Sequence, residues 1–236
     1  ALGMVAFSAG TAAGVIMAVP ETLRPEARRT GGIVSTLADM RAVTTHGPFI
    51  ARVCVFVFSF GVLFSYISAS PFIYQDMVGL SPSAYAVAFT VNALGIFTAN
   101  LVGGRLVGRF TPEQLMGAGV VGMVTAIAYL VVVVILSPAG TLGLAPVTVG
   151  FILLTLSIGL VFPNAASLSM QATRGHSGSG SAVLGAGQFT LAALVAPLTG
   201  LAGPHSAVPM LVVMGTSAGV VVTATWAVFS RPARAT

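Results

Sequence analysis

Lysine is absent from this chain of 236 residues, and acids number only five. The ten basic residues are all arginine, and charged side chains make up 6% of the sequence. Soluble domains carry about a quarter charged residues, so a water-soluble globular fold is excluded. A single cysteine, Cys54, excludes an internal disulfide and a cysteine metal cluster. His46, His176 and His205 fall in separate connecting segments without ligand spacing, so no metal site is expected. The glycine-rich "RGHSGSGS" at 174–181 lacks the Lys-Ser/Thr ending and preceding strand of a phosphate loop, and no cofactor is expected there or elsewhere. The apolar stretches hold no carboxylate pair and no nucleophile with a base in reach, so the chain is not expected to be an enzyme.

What is present is hydrocarbon. Hydrophobic residues reach 56% and the mean hydropathy is +1.00. A membrane-spanning helix needs about 20 mostly apolar residues, and seven stretches qualify: 1–20, 49–74, 83–104, 115–136, 147–170, 181–201 and 207–230. The expected fold class is therefore an all-α membrane protein with seven transmembrane helices. The segment 21–48, "ETLRPEARRTGGIVSTLADMRAVTTHGP", holds three of the five acids and four of the arginines, and is expected to be a linker. It separates a first helix at 1–20 from a six-helix bundle at 49–230, and 231–236 form a tail.

A formal charge of +5 would raise nucleic acid as a partner for a soluble protein. Position argues otherwise. Counted across alternating connections, all ten arginines fall on one side of the membrane. The positive-inside rule makes that side cytoplasmic, which puts the C-terminus inside. The bilayer, not nucleic acid, is the expected partner.

Amides are costly in lipid and mark surfaces that face protein or water. Gln75, Asn92, Asn100, Asn164, Gln171 and Gln188 lie on the second, third, fifth and sixth spans. Pro71, Pro163 and Pro197 kink three of the same helices, each freeing a backbone carbonyl that only a wet or protein-lined interior tolerates. These four spans are expected to line something polar, and the first, fourth and seventh to shield them. Tyr66, Ser70 and Tyr74 follow at steps of four and share one helical face. They line a water-filled path or form a stripe bonded to a neighbouring helix. Asn92 divides the same way, while Asn164, next to Pro163, and Gln188, next to Phe189, are the stronger cavity candidates. Asp76 is a solvated loop carboxylate or a gate element. Arg105, Arg109 and Arg174 are topology anchors or gating contacts. Gly10 to Gly14 and Gly215 to Gly219 have the GxxxG spacing of closely packed helices.

Several stretches resemble one known family. "YISASPFIYQDMVGLSP" at 66–82, "NALG" at 92–95, "FPNAASLSM" at 162–170, "GSGSAVLGAGQF" at 178–189 and "PETL" at 20–23 are similar to the bicyclomycin-resistance (Bcr/CflA) branch of the major facilitator superfamily. "GGRLVGRF" at 103–110 resembles that superfamily's second gating motif, with Arg109 at a basic position and Gly108 where an acid often stands. The resemblance implies a major-facilitator-type bundle in which this chain supplies helices 6 to 12 of twelve, the N-terminal half being missing. It implies a multidrug efflux transporter of the bacterial inner membrane, exchanging small neutral or amphipathic drugs for protons. A metabolite or sugar exporter of the same fold, or a non-transporting scaffold subunit, are the alternatives. No acid stands mid-span, so the proton carrier is expected in the absent half.

Overall fold

A computed structural model of the protein describes residues 2–18, 40–41, 44–45, 47–137, 141–173 and 176–230. Among these residues the named regular elements are all helices: α1 (Leu2–Ala18), α2 (Gly47–Pro71, continued by a π-helical turn Phe72–Met77), α3 (Pro82–Leu106), α4 (Pro112–Leu136), α5 (Leu144–Gln171), α6 (Ser177–Leu198) and α7 (Val208–Ser230). Helices α2 to α7 are long and apolar enough to cross a membrane. Each covers one of the stretches expected from composition, with ends shifted by a few residues. The described part of α1 is 17 residues. Most of the expected linker, together with Arg174 and the tail, lies outside the described residues.

The chain divides into two compact units, Ala1–Leu37 and Ala38–Thr236. The first contributes α1. The second is a bundle in which α2 packs along α7, α6 and α5, while α5 packs along α4 and α3 as well. Helices α2 and α5 thereby form its centre, and Phe49, Val55, Phe151, Leu154, Met123 and Met214 are among its fully buried side chains.

Sequence chemistry sets the helix starts. Ser81 caps α3, its hydroxyl accepting from the Ala84 amide at 3.3 Å, with Pro82 at the first helical position. Thr111 and Gln114 form a reciprocal capping box ahead of α4, again with a proline, Pro112, at the first position. Gly79 and Gly108 take φ of 85° and 92° in the two turns before these caps, a conformation that glycine adopts without a Cβ clash.

Small residues let the helices close up. A methyl placed on Gly159 of α5 would lie 2.7 Å from the Ile96 carbonyl oxygen of α3 and 2.7 Å from Ala99 Cβ, and one on Gly95 of α3 would lie 2.5 Å from Thr155 Oγ1 of α5. The two glycines thus make α3 and α5 approach backbone to side chain from both sides. Gly187 of α6 receives Val57 of α2 in the same way, at 2.8 Å. The GxxxG pair on α7 does not behave as its spacing suggests. Gly215 and Gly219 are exposed with nothing within 4 Å of an added Cβ, because α7 turns its Met210, Met214 and Val221 side to the bundle instead.

Helix α7 is well buried along α2, and α3 and α6 are the least buried spans of the unit.

Candidate functional site

Pro71 has no amide hydrogen, so the Ile67 carbonyl one turn earlier loses its helical donor. The Ser70 hydroxyl takes that place, donating to Ile67 O at 3.1 Å. Beyond Pro71 the helix widens into the π-turn Phe72–Met77, closed by the Val78 amide on the Ile73 carbonyl at 3.0 Å and the Leu80 amide on the Tyr74 carbonyl at 2.9 Å. The Leu142 amide, in the connection before α5, donates to the Met77 carbonyl at 3.1 Å. Widening sets Tyr74 between α3 and α5.

A polar network grows from there. The Tyr74 hydroxyl donates to Thr148 Oγ1 of α5 at 3.2 Å and accepts from the Asn92 amide of α3 at 3.0 Å. Ser70 Oγ and the Tyr85 hydroxyl of α3 share a hydrogen bond at 3.0 Å. Tyr66 stacks on Phe89 with ring centroids 5.9 Å apart and packs against Phe151 at 4.8 Å. Tyr66, Ser70, Tyr74 and Asn92 are all buried within the unit. Their bonds run from helix to helix, joining α2, α3 and α5 at one end of the bundle. The Tyr66 hydroxyl and Asn92 Oδ1 are buried without a hydrogen-bond partner among the described residues.

The other candidates lie elsewhere. Asn164 is buried on α5, and its side-chain nitrogen folds back on the Leu160 carbonyl at 2.7 Å. Gln188 is half-buried on α6. Pro163 and Pro197 fall inside α5 and α6 and are exposed. Asn100 and Gln171 are exposed, bonding within their own helices to Ile96 O at 2.8 Å and Ser167 Oγ at 3.2 Å. Asp76 is exposed in the π-turn. Arg105, in the last turn of α3, and Arg109, in the turn after it, are exposed at the opposite end of α3 from the tyrosine network. The Arg109 and Phe110 amides both donate to the Leu106 carbonyl at 3.0 Å, which folds this turn tightly. Among the described residues no three His, Cys, Asp or Glu side chains come together as metal ligands.

Two sets of residues escaped sequence reasoning. Tyr85 and Thr148 complete the network, and nothing in the periodicity singles them out. An aromatic cluster, Phe56, Phe60 and Phe64 of α2 with Phe162 of α5 and Phe189 of α6, has ring centroids 4.8 to 5.9 Å apart. Its signal was available: the three phenylalanines of α2 recur at steps of four, and Phe162 and Phe189 adjoin Pro163 and Gln188 in the sequence.

In a sequence comparison, residues 1–197 match the Major Facilitator Superfamily. The chain belongs to this superfamily. Among curated superfamily members it is 28% identical over 201 residues to an uncharacterized MFS-type transporter, YdgK, of Bacillus subtilis (strain 168), covering 85% of this chain and 48% of that protein. It is 22% identical over 158 residues to a bicyclomycin resistance protein homolog of Haemophilus influenzae, covering 67% of this chain and 39% of that protein. The chain thus spans about half the length, or less, of these superfamily relatives.

Proposed function

We propose that this chain works as the C-terminal half of a bacterial inner-membrane transporter that exports small neutral or amphipathic drugs in exchange for protons. One observation carries the reading. Where Phe60, Phe162 and Phe189 converge, α2, α5 and α6 offer an uncharged surface of phenyl rings. Such a surface suits apolar molecules with a few polar substituents. Superfamily membership and the name of the Haemophilus influenzae relative support the same reading. In it the rest of the bundle has separate tasks. The Tyr66, Ser70, Tyr74 and Asn92 network stiffens the broken end of α2 behind the substrate path, and Asn164 and Gln188 contribute to that path. Arg105, Arg109 and Arg174 hold the cytoplasmic side, and Asp76 stands at the outer edge as a gate element. The proton carrier belongs to the other half, since substrate sites of such transporters lie between two bundles and no acid stands mid-span here.

The test is drug export by the full-length gene product in proteoliposomes with an imposed pH gradient. Export that follows the gradient and survives Asp76→Asn supports the reading. Loss of proton coupling in Asp76→Asn with drug binding intact moves the carrier into this chain, and failure to export any neutral drug overturns the function.

A further inference from the structure

Five aromatic rings close a circuit near the π-turn of α2. Tyr66 stacks on Phe89, Phe89 packs on Tyr85, Tyr85 on Tyr74, Tyr74 on Phe151, and Phe151 returns to Tyr66, with ring centroids 4.8 to 6.0 Å apart. Three helices supply them: Tyr66 and Tyr74 come from α2 and its continuation, Tyr85 and Phe89 from α3, and Phe151 from α5. Asn92 follows Tyr85 and Phe89 on the same face of α3. Its nitrogen donates to the Tyr74 hydroxyl at 3.0 Å.

Two polar atoms at this circuit stand apart from the rest. The Tyr74 hydroxyl is shared between Asn92 and Thr148, and the Tyr85 hydroxyl bonds Ser70. The Tyr66 hydroxyl and Asn92 Oδ1 have no hydrogen-bond partner among the described residues, although Tyr66 is only 3% exposed and Asn92 0%. The Asn92 side chain lies close to the Tyr66 hydroxyl without bonding to it. One of these atoms is a hydroxyl that can donate and the other an amide oxygen that only accepts. A buried polar group left unpaired costs more than a made bond returns, so a ligand that accepts from the first and donates to the second stabilises both. The packed rings leave it no room to be large. None of the residues here is charged, so nothing offsets a cation. Water meets these conditions, and buried waters characteristically bond otherwise unsatisfied polar groups.

We propose that Tyr66 and Asn92 hold one buried water molecule between α2 and α3, the Tyr66 hydroxyl donating to the water and the water donating to Asn92 Oδ1. Through it Tyr66 joins the chain Asn92, Tyr74, Thr148, and one polar path ties α2, α3 and α5. The site goes beyond the export function and does not depend on it.

The experiment uses the purified full-length gene product in detergent. Thermal unfolding is measured for the parent, Tyr66→Phe, Asn92→Leu and the double variant. Oxidation of Tyr66 in the folded parent is followed by X-ray hydroxyl-radical footprinting, in which a ring shut off from bulk solvent is labelled only where a bound water yields the radical beside it. Tyr66→Phe is expected to lower the unfolding midpoint by about 2–4 °C, the shift that one lost hydrogen bond produces, and to have little effect once Asn92 is leucine. Tyr66 is expected to be oxidised in the parent. An unchanged or raised midpoint in Tyr66→Phe means that its hydroxyl holds nothing, and the proposal falls. A lowered midpoint with Tyr66 unoxidised means a direct bond to Asn92, which overturns the water. Additive effects of the two substitutions remove Asn92 from the site and overturn it too. If Asn92→Leu does not fold, the parent and Tyr66→Phe decide through the first two readouts.

Discussion

The Asn92 side-chain nitrogen reaches the Tyr74 hydroxyl at 3.0 Å, and that hydroxyl donates onward to Thr148 Oγ1 at 3.2 Å, so one phenol joins three helices. Both Tyr74 and Asn92 are fully buried. Tyr74→Phe removes the hydroxyl and leaves the Asn92 donors without their partner. It is expected to destabilise the bundle by about 1–2 kcal/mol, the scale of a buried interhelical hydrogen bond plus an orphaned donor. Tyr85→Phe should cost less, because Ser70 keeps its bond to the Ile67 carbonyl. Thermal unfolding of the detergent-solubilised protein checks the order. Equal melting of both variants and the parent would mean that the network contributes nothing.

Glycines in different surroundings should respond oppositely. Gly159→Ala forces a methyl to 2.7 Å from the Ile96 carbonyl, where only backbone movement relieves it, and is expected to cost about 1–3 kcal/mol. Gly215→Ala meets nothing within 4 Å and should be neutral, or slightly stabilising through helix propensity. The same melting assay decides. A destabilised Gly215→Ala would show that a second surface packs on α7.

Orientation can be read with a thiol reagent. On a Cys54→Ser background, a cysteine at the exposed Ser83, just inside α3, should react with an impermeant maleimide in intact cells. One at the exposed Gly178, in the first turn of α6, should react only after the membrane is opened. The reverse pattern would put the arginine side outside.

The positions of the spans were legible because bilayer thickness imposes a length on any apolar run. Direction was harder to see. Tyr66, Ser70 and Tyr74 could be placed on one face from their spacing. Whether that face met water or Thr148 depended on a partner 74 residues away along the chain, which only the packing supplies. The phenylalanines of α2 were overlooked for a related reason: an apolar ring on a membrane helix is expected whatever it faces. Gly215 and Gly219 misled because their spacing describes how closely a partner could approach, and carries no information on whether one is there.

The π-helical turn at Phe72–Met77 decides where the last tyrosine of α2 is aimed. Such a turn holds one residue more than an α-helical turn would, so the residues that follow its start are rotated about the helix axis. Those residues include Tyr74, whose hydroxyl reaches both Asn92 of α3 and Thr148 of α5. One residue deleted there would leave α2 helical and swing the phenol away from both partners.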